Sequence, residues 1–208
     1  MNYKKINKIL DDLDSLYPNA KAGLDFNTPF ELLIATILSA QCTDVRVNKV
    51  TAVLFKEHNT PKTILDLGVD GLSKYIKSCG LYKTKSKNII NTCNVLYHDY
   101  DSIVPDNIEE LMKLPGVGRK TANVVVSNAF DTPAIAVDTH VFRVTNRIGI
   151  VNEKDVLSTE MALMKEIPKE RWSKSHHLFI WHGRKLCKAR SPKCEECILN
   201  DRCKFYNS

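Results

Sequence analysis

Apolar residues recur along most of the chain at three- and four-residue intervals, the spacing that lines one face of a helix. Thr28-Pro29-Phe30-Glu31 has the form of a capping box with proline at the first helical position, and it opens the apolar segment Phe30 to Ala40. Thr60-Pro61 opens a second helix in the same way. Gly80 follows Lys74 to Cys79 where a C-terminal glycine ends a helix, and Ile89, Ile90, Cys93, Leu96 and Tyr97 mark the inner face of a helix over Thr84 to Tyr100. Asp106 is placed to cap Ile108 to Leu114, and further helical patterns cover 119–130, 139–148, 155–167 and 173–187. No convincing run alternates apolar and polar residues as a half-buried strand does. The pattern predicts an all-α protein of about ten short helices, without repeats, low-complexity tracts or long linkers.

Composition narrows the class. A chain of 208 residues with 43% hydrophobic and 26% charged residues suits one large domain or two small ones, and is neither disordered nor fibrous. The longest apolar stretch, Leu32 to Ala40, is too short to cross a bilayer, and charge is interspersed from the first residues onward where a signal peptide needs a continuous apolar region. The expectation is a soluble, cytoplasmic protein. The net charge of +6 is unevenly placed: from Lys169 to Ser208 ten Lys/Arg face four acids, so residues 1–168 are neutral. A basic segment on a neutral body suits polyanion binding through counterion release, although a solvated basic helix has the same composition.

Seven cysteines, an odd number, argue against a disulfide framework. Cys42, Cys79 and Cys93 lie in helical patterns and read as reduced, small apolar residues. Cys187, Cys194, Cys197 and Cys203 differ, being spaced C-x6-C-x2-C-x5-C within a short C-terminal stretch. Four thiolates so clustered bind a soft metal. One CxxC pair flanked by two single cysteines departs from the paired motifs of structural zinc, which favours a [4Fe-4S] cluster and leaves zinc open. Between the first two, Lys188-Ala-Arg190-Ser-Pro-Lys193 carries three positive charges and no acid, as a phosphate contact requires.

The segment Leu111-Met-Lys-Leu-Pro-Gly-Val-Gly-Arg-Lys-Thr-Ala122 predicts two helices joined by a hairpin: one ends before Pro115, Gly116 and Gly118 allow a tight turn, and the next begins near Arg119. Exposed amides and the positive end of the second helix form an anion site that can hold a phosphate without reading a base. An ordinary glycine-rich turn between packed helices is the alternative.

This segment resembles the helix-hairpin-helix of the DNA glycosylase superfamily. Ala134-Ile-Ala-Val-Asp138-Thr-His-Val141 resembles the stretch carrying that superfamily's catalytic aspartate, and the cysteine spacing resembles the endonuclease III cluster signature. The similarity extends to Ser39 to Asp44 and Gly80 to Ile89, and so over nearly the whole chain. It implies two helical domains with a DNA cleft between them: a six-helix domain over residues 22–132, with the hairpin at about 107–130, and a cluster domain joining residues 1–21 to 133–208. The implied partner is double-stranded DNA with damaged bases or abasic sites, bound by a monomer with no membrane. A [4Fe-4S] cluster on the four cysteines is implied, together with a monovalent cation on main-chain carbonyls of Met112, Leu114 and Val117.

A lysine at position 120 is similar to the bifunctional members, whose amine attacks C1′ of the damaged nucleotide. An ordinary lysine amine is neutral in only roughly one molecule in 2,500 at pH 7, so desolvation under a bound nucleotide and the positive helix end have to favour the neutral form. Asp138 is assigned to proton transfer and to stabilising the cationic sugar as the base leaves. Lys120 then forms a Schiff base, and β-elimination expels the 3′ phosphate. Gln41 and Leu81 correspond to side chains inserted where the damaged nucleotide has rotated out, and Gly116, Gly118, Arg119, Lys188 and Arg190 to backbone contacts. Oxidised pyrimidines are the substrates the resemblance implies. Plainer readings make Lys120 a phosphate contact, Asp138 a helix cap, and Asp44 the cap of the helix after Gln41. His140, His176, His177 and His182 read as packing or phosphate contacts. The rival functions are a monofunctional glycosylase using water, and a non-enzymatic DNA-binding or electron-transfer protein.

Overall fold

The computed structural model describes all 208 residues, Met1–Ser208. It is all-helical: α1 (Tyr3–Leu16), α2 (Pro29–Ser39), α3 (Asp44–Leu54), α4 (Pro61–Ile76), α5 (Tyr82–Asp99), α6 (Ile108–Leu111), α7 (Arg119–Ala129), α8 (Thr139–Ile148), α9 (Val156–Glu166) and α10 (Trp172–Lys185), with 3-10 turns at Lys169–Arg171 and Asn200–Arg202. The chain divides into two compact units, one of Gly23–Thr132 and one joining Met1–Ala22 to Pro133–Ser208.

In the first unit α2 is the central element. Every residue from Phe30 to Leu38 is buried, as expected of a helix apolar on all sides, and α3, α5 and α7 pack around it. Thr28 caps it by accepting from the Glu31 amide at 3.1 Å. The Glu31 carboxylate reaches past the cap to the Asn27 amide at 2.6 Å, so the reciprocal half of the box closes one residue early. Thr60 and Thr63 form a complete capping box at the start of α4. That helix is broken internally at Gly68, whose φ of 64° lies outside the helical region.

Local expectations were shifted at three caps. α4 ends at Ile76, ahead of Gly80, and the left-handed residue that reverses the chain is Leu81, at φ 58°. Asn107, not Asp106, caps α6, because it is the residue directly before the helix start at Ile108 and its Oδ1 accepts from the Glu110 amide at 2.9 Å. Thr43 rather than Asp44 caps α3.

In the second unit α10 packs against α8 and α1. Ile6, Ile9, Leu10 and Leu13 of α1 join Val141, Val144 and Ile148 of α8, Leu163 of α9, and Leu178 and Phe179 of α10 in one core. Three aspartates on α1 hold cations from the basic C-terminal segment: Asp11 with Arg171 at 2.8 Å, Asp12 with Arg202 at 2.7 Å and Asp14 with Lys174 at 3.0 Å. Part of the positive surplus is therefore internal pairing, and the polyanion surface is narrower than composition implied.

Candidate active site and iron-sulfur centre

The hairpin forms as its glycines require, though the two do different work. Gly116 has φ 79°, where a side chain is strained, and an added Cβ would lie 2.8 Å from the Asn88 side chain. Gly118 has φ −92° and faces open space, so its missing side chain leaves room for a close approach to the backbone. Thr92 fixes the turn by donating to the Pro115 carbonyl at 2.6 Å, and the Val117 amide donates to Leu114 O at 3.1 Å. One of the three carbonyls implied for a cation thus already accepts a hydrogen bond. Gly118 is the N-cap of α7 and offers no side-chain acceptor. The first-turn amides of Arg119 and Lys120 therefore point out of an uncapped, positive helix end. Lys120 itself is exposed.

Asp138 is the N-cap of α8. Its Oδ1 accepts from the His140 amide at 2.8 Å and the Val141 amide at 2.9 Å. The cap uses one carboxylate oxygen and leaves Oδ2 outside the pair. One turn on, the Arg143 guanidinium donates to Gly183 O at 3.0 Å and to Cys187 O at 3.0 Å, and contacts His140 Nδ1 at 3.2 Å. Burial pulls the His140 imidazole below its ordinary range, with the Asp138 charge opposing. Lys120 belongs to the first unit and Asp138 to the second.

Gln41 and Leu81 are exposed and both have positive φ, 53° and 58°. Non-glycine residues held in that region store strain of order 1–3 kcal/mol, which is retained where the surroundings fix the shape. Their loops lie side by side, for a Cβ on Gly80 would come 3.1 Å from the Gln41 carbonyl oxygen. Sequence reasoning missed this juxtaposition.

Cys187, Cys194, Cys197 and Cys203 line one apolar pocket with Ile148, His182, Leu186, Leu199 and Phe205. No three metal-binding side chains converge on a single point. Zinc would need its sulfurs about 2.3 Å from one ion, whereas a cluster of four irons takes one cysteine on each, and all four cysteines wall this pocket. Burial and the neighbouring cysteines push the Cys194 thiol above its ordinary range; burial does the same for Cys197 against the Leu199 amide. For Cys194 and Cys197, then, ionisation in this apolar pocket is costly without a compensating metal.

Arg147 supports the pocket's rim. It donates to the carbonyls of Lys188 (2.7 Å) and Ala189 (3.1 Å), lies 3.7 Å from the Cys187 Sγ and stacks on Phe205. His182, fully buried, joins Tyr17 Oη at 3.2 Å to Cys197 Sγ at 3.5 Å, so this histidine packs against one of the four clustered cysteines. His176 is buried too. Lys188 and Arg190 stand exposed on the loop, but Lys193 pairs with Glu196 at 3.0 Å and its charge is matched.

A hairpin with an open helix end and a four-cysteine pocket together define a helix-hairpin-helix iron-sulfur protein. The family model of HhH-GPD superfamily base excision DNA repair proteins matches residues 34–169, and that of the iron-sulfur binding domain of endonuclease III matches 187–203. The chain is 50% identical to endonuclease III of Bacillus subtilis, over 98% of its own length and 94% of the relative's. Against endonuclease III of Haemophilus influenzae it is 51% identical, over 99% and 97%. Its structure matches that of a trapped endonuclease III-DNA covalent intermediate at TM-score 0.94 and 49% identity, covering 100% of this chain and 98% of the other. The chain belongs to the endonuclease III family of the HhH-GPD superfamily. No helix is long and apolar enough to cross a membrane.

Proposed function

We propose that Lys120 and Asp138 carry the two chemical steps of this base excision repair enzyme, a DNA glycosylase and abasic-site lyase acting on damaged duplex DNA. The observation that supports the reading best is Lys120 in the first turn of α7, directly after the hairpin, where no side chain caps the helix. A phosphate held by the turn's amides would set the adjacent nucleotide against the amine. Because Lys120 is exposed, the desolvation that favours a neutral amine has to come from the nucleotide covering it.

Asp138 is oriented by two amides and so presents a fixed negative charge to the sugar as positive charge develops on base departure. Attack of the Lys120 amine on C1′ forms the C–N bond as the base leaves, and ring opening gives the protonated imine. Removal of a C2′ proton then moves an electron pair toward the iminium and expels the 3′ phosphate. Gln41 and Leu81 fill the vacated stack, one presenting an amide to the orphaned base and the other an apolar wedge. Oxidised pyrimidines are the substrates assigned. Cys187, Cys194, Cys197 and Cys203 hold a [4Fe-4S] cluster, which when bound ties the C-terminal loop in place and takes no part in bond cleavage. Reduced cysteines throughout suit a cytoplasmic setting.

The test is borohydride added during reaction with abasic-site DNA. A stable covalent complex is expected, with the cross-link at Lys120, and Lys120→Gln should bind damaged duplex without trapping. Undiminished trapping in Lys120→Gln means that another amine is the nucleophile. Base removal without any trapping in the native protein means that water attacks instead.

A further inference from the structure

Three observations converge beside the Gln41 and Leu81 loops. Cys42 follows Gln41 directly and is half-buried, while Cys79 stands two residues before Leu81 and is only 1% exposed. The two segments are in contact, since a Cβ on Gly80 would come 3.1 Å from the Gln41 carbonyl, and the Cys42 side chain is hydrogen-bonded to the Cys79 thiol and helps to push it up. Both are free. The third observation is Lys85, an ammonium only 4% exposed, which donates to the Leu38 carbonyl at 2.7 Å in the last turn of α2. The ionisable groups that act on its charge are Cys42 and Cys79, with no carboxylate among them. Burial pulls the Lys85 amine below its ordinary range and the two thiols oppose that shift, so the lysine and both cysteines sit within one another's reach.

We propose that Cys42 and Cys79 form a redox-active pair, in which a peroxide oxidises Cys42 and Cys79 closes the product to a disulfide joining the Gln41 and Leu81 loops. The Cys42 thiolate attacks one peroxide oxygen; the S–O bond forms, the O–O bond breaks, and the departing hydroxide takes a proton to become water. The Cys79 sulfur then displaces the sulfenic hydroxyl; the S–S bond forms, the S–O bond breaks, and the Cys79 proton leaves in a second water. Two electrons pass from the sulfurs to the peroxide. The order follows from exposure. Cys42 meets the oxidant, whereas burial shields Cys79 and pushes its thiol up to about 11. The functional consequence, which rests on Gln41 and Leu81 entering the DNA stack, is that oxidation locks the two inserting loops together and weakens engagement of damaged duplex.

Holoprotein is treated with stoichiometric hydrogen peroxide while the cluster's visible absorbance is followed, then alkylated and mapped without reduction. A Cys42–Cys79 cross-link is expected in most chains, with the absorbance unchanged and free thiols restored by dithiothreitol. Cys79→Ala should stop at a Cys42 sulfenic acid trapped by dimedone. Oxidised native protein should bind abasic-site duplex at least about fivefold more weakly, reversibly, while Cys79→Ala binds equally before and after peroxide. Absence of the cross-link, or its equal yield in urea-denatured chain, overturns the pair. Full cross-linking with unchanged affinity overturns its control of DNA binding. Failure of the insertion reading is separable, since reduced Gln41→Ala and Leu81→Ala would then bind as the native protein does.

Discussion

Asp138 is a helix cap in the structure and a catalytic carboxylate in the proposed reaction, and two substitutions separate these roles. Asp138→Ala removes the acceptor for two amides at 2.8 and 2.9 Å. Losing an N-cap costs about 0.5–2 kcal/mol. The upper end applies here because one partly buried oxygen accepts both bonds, so truncation leaves two amides without their partner. In a chain of this size about 2 kcal/mol lowers the melting temperature by roughly 4–8 °C. Asp138→Asn keeps an oxygen in the Oδ1 position and should retain most of that stability, yet it lacks the charge. Its base excision should fall by about 100-fold or more. It should keep some strand cleavage on preformed abasic sites, where no base has to leave. Melting of the holoproteins is measured beside two oligonucleotide assays, one with a damaged base and one with an abasic site. Native-rate base excision by Asp138→Asn would reduce the residue to a cap. Equal melting of the Ala variant and the native protein would show that the two bonds do not hold α8.

Other outcomes follow from geometry. Affinity for undamaged duplex should fall steeply with salt, and Lys188→Ala or Arg190→Ala should weaken binding and flatten that slope by about one unit each. Lys193→Ala should do less, because Glu196 already matches its charge; salt-independent binding would contradict the phosphate contacts. Gly116→Ala should destabilise by about 1–3 kcal/mol through its positive φ and the Asn88 contact, whereas Gly118→Ala should fold normally and lose DNA affinity, which a melt and a binding titration distinguish. Burial holds the His177 imidazole down to about 4 from an ordinary 6.5. The unfolded chain then binds more protons between those values, so stability falls as pH drops from about 6.5 to 4, by about 3 kcal/mol from this residue. Urea midpoints across that range should show the loss, and His177→Gln should shrink it.

What the sequence disclosed depended on how local each cause was. The caps at Thr28 and Thr60 were legible because a hydroxyl reaches an amide three residues on. The hairpin was legible because Pro115 and Gly116 narrow the backbone by themselves. The break at Gly68 was not, since a glycine inside a helical pattern is compatible with a straight helix until packing decides. Gly80 misled for the opposite reason: the turn puts its left-handed residue at Leu81, where glycine is absent. The basic segment looked like free surface because the aspartates that pair with it come from α1, at the far end of the chain. Cys42 and Cys79 looked like separate apolar residues because the contact between their loops is tertiary.

The placement of α1 has a consequence for biosynthesis. Its inward stripe, Ile6, Ile9, Leu10 and Leu13, is covered by residues from the C-terminal half of the chain. Gly23–Thr132 is continuous and has a core of its own, so it can be completed while translation is still under way. α1 has to wait for Leu178 and Phe179. At translation rates of about 5–20 residues per second, that leaves an unpartnered apolar helix for roughly ten to thirty seconds. α1 is made long before α10 yet settles only after it, and the aspartates that later pair with Arg171, Lys174 and Arg202 keep it in water until then.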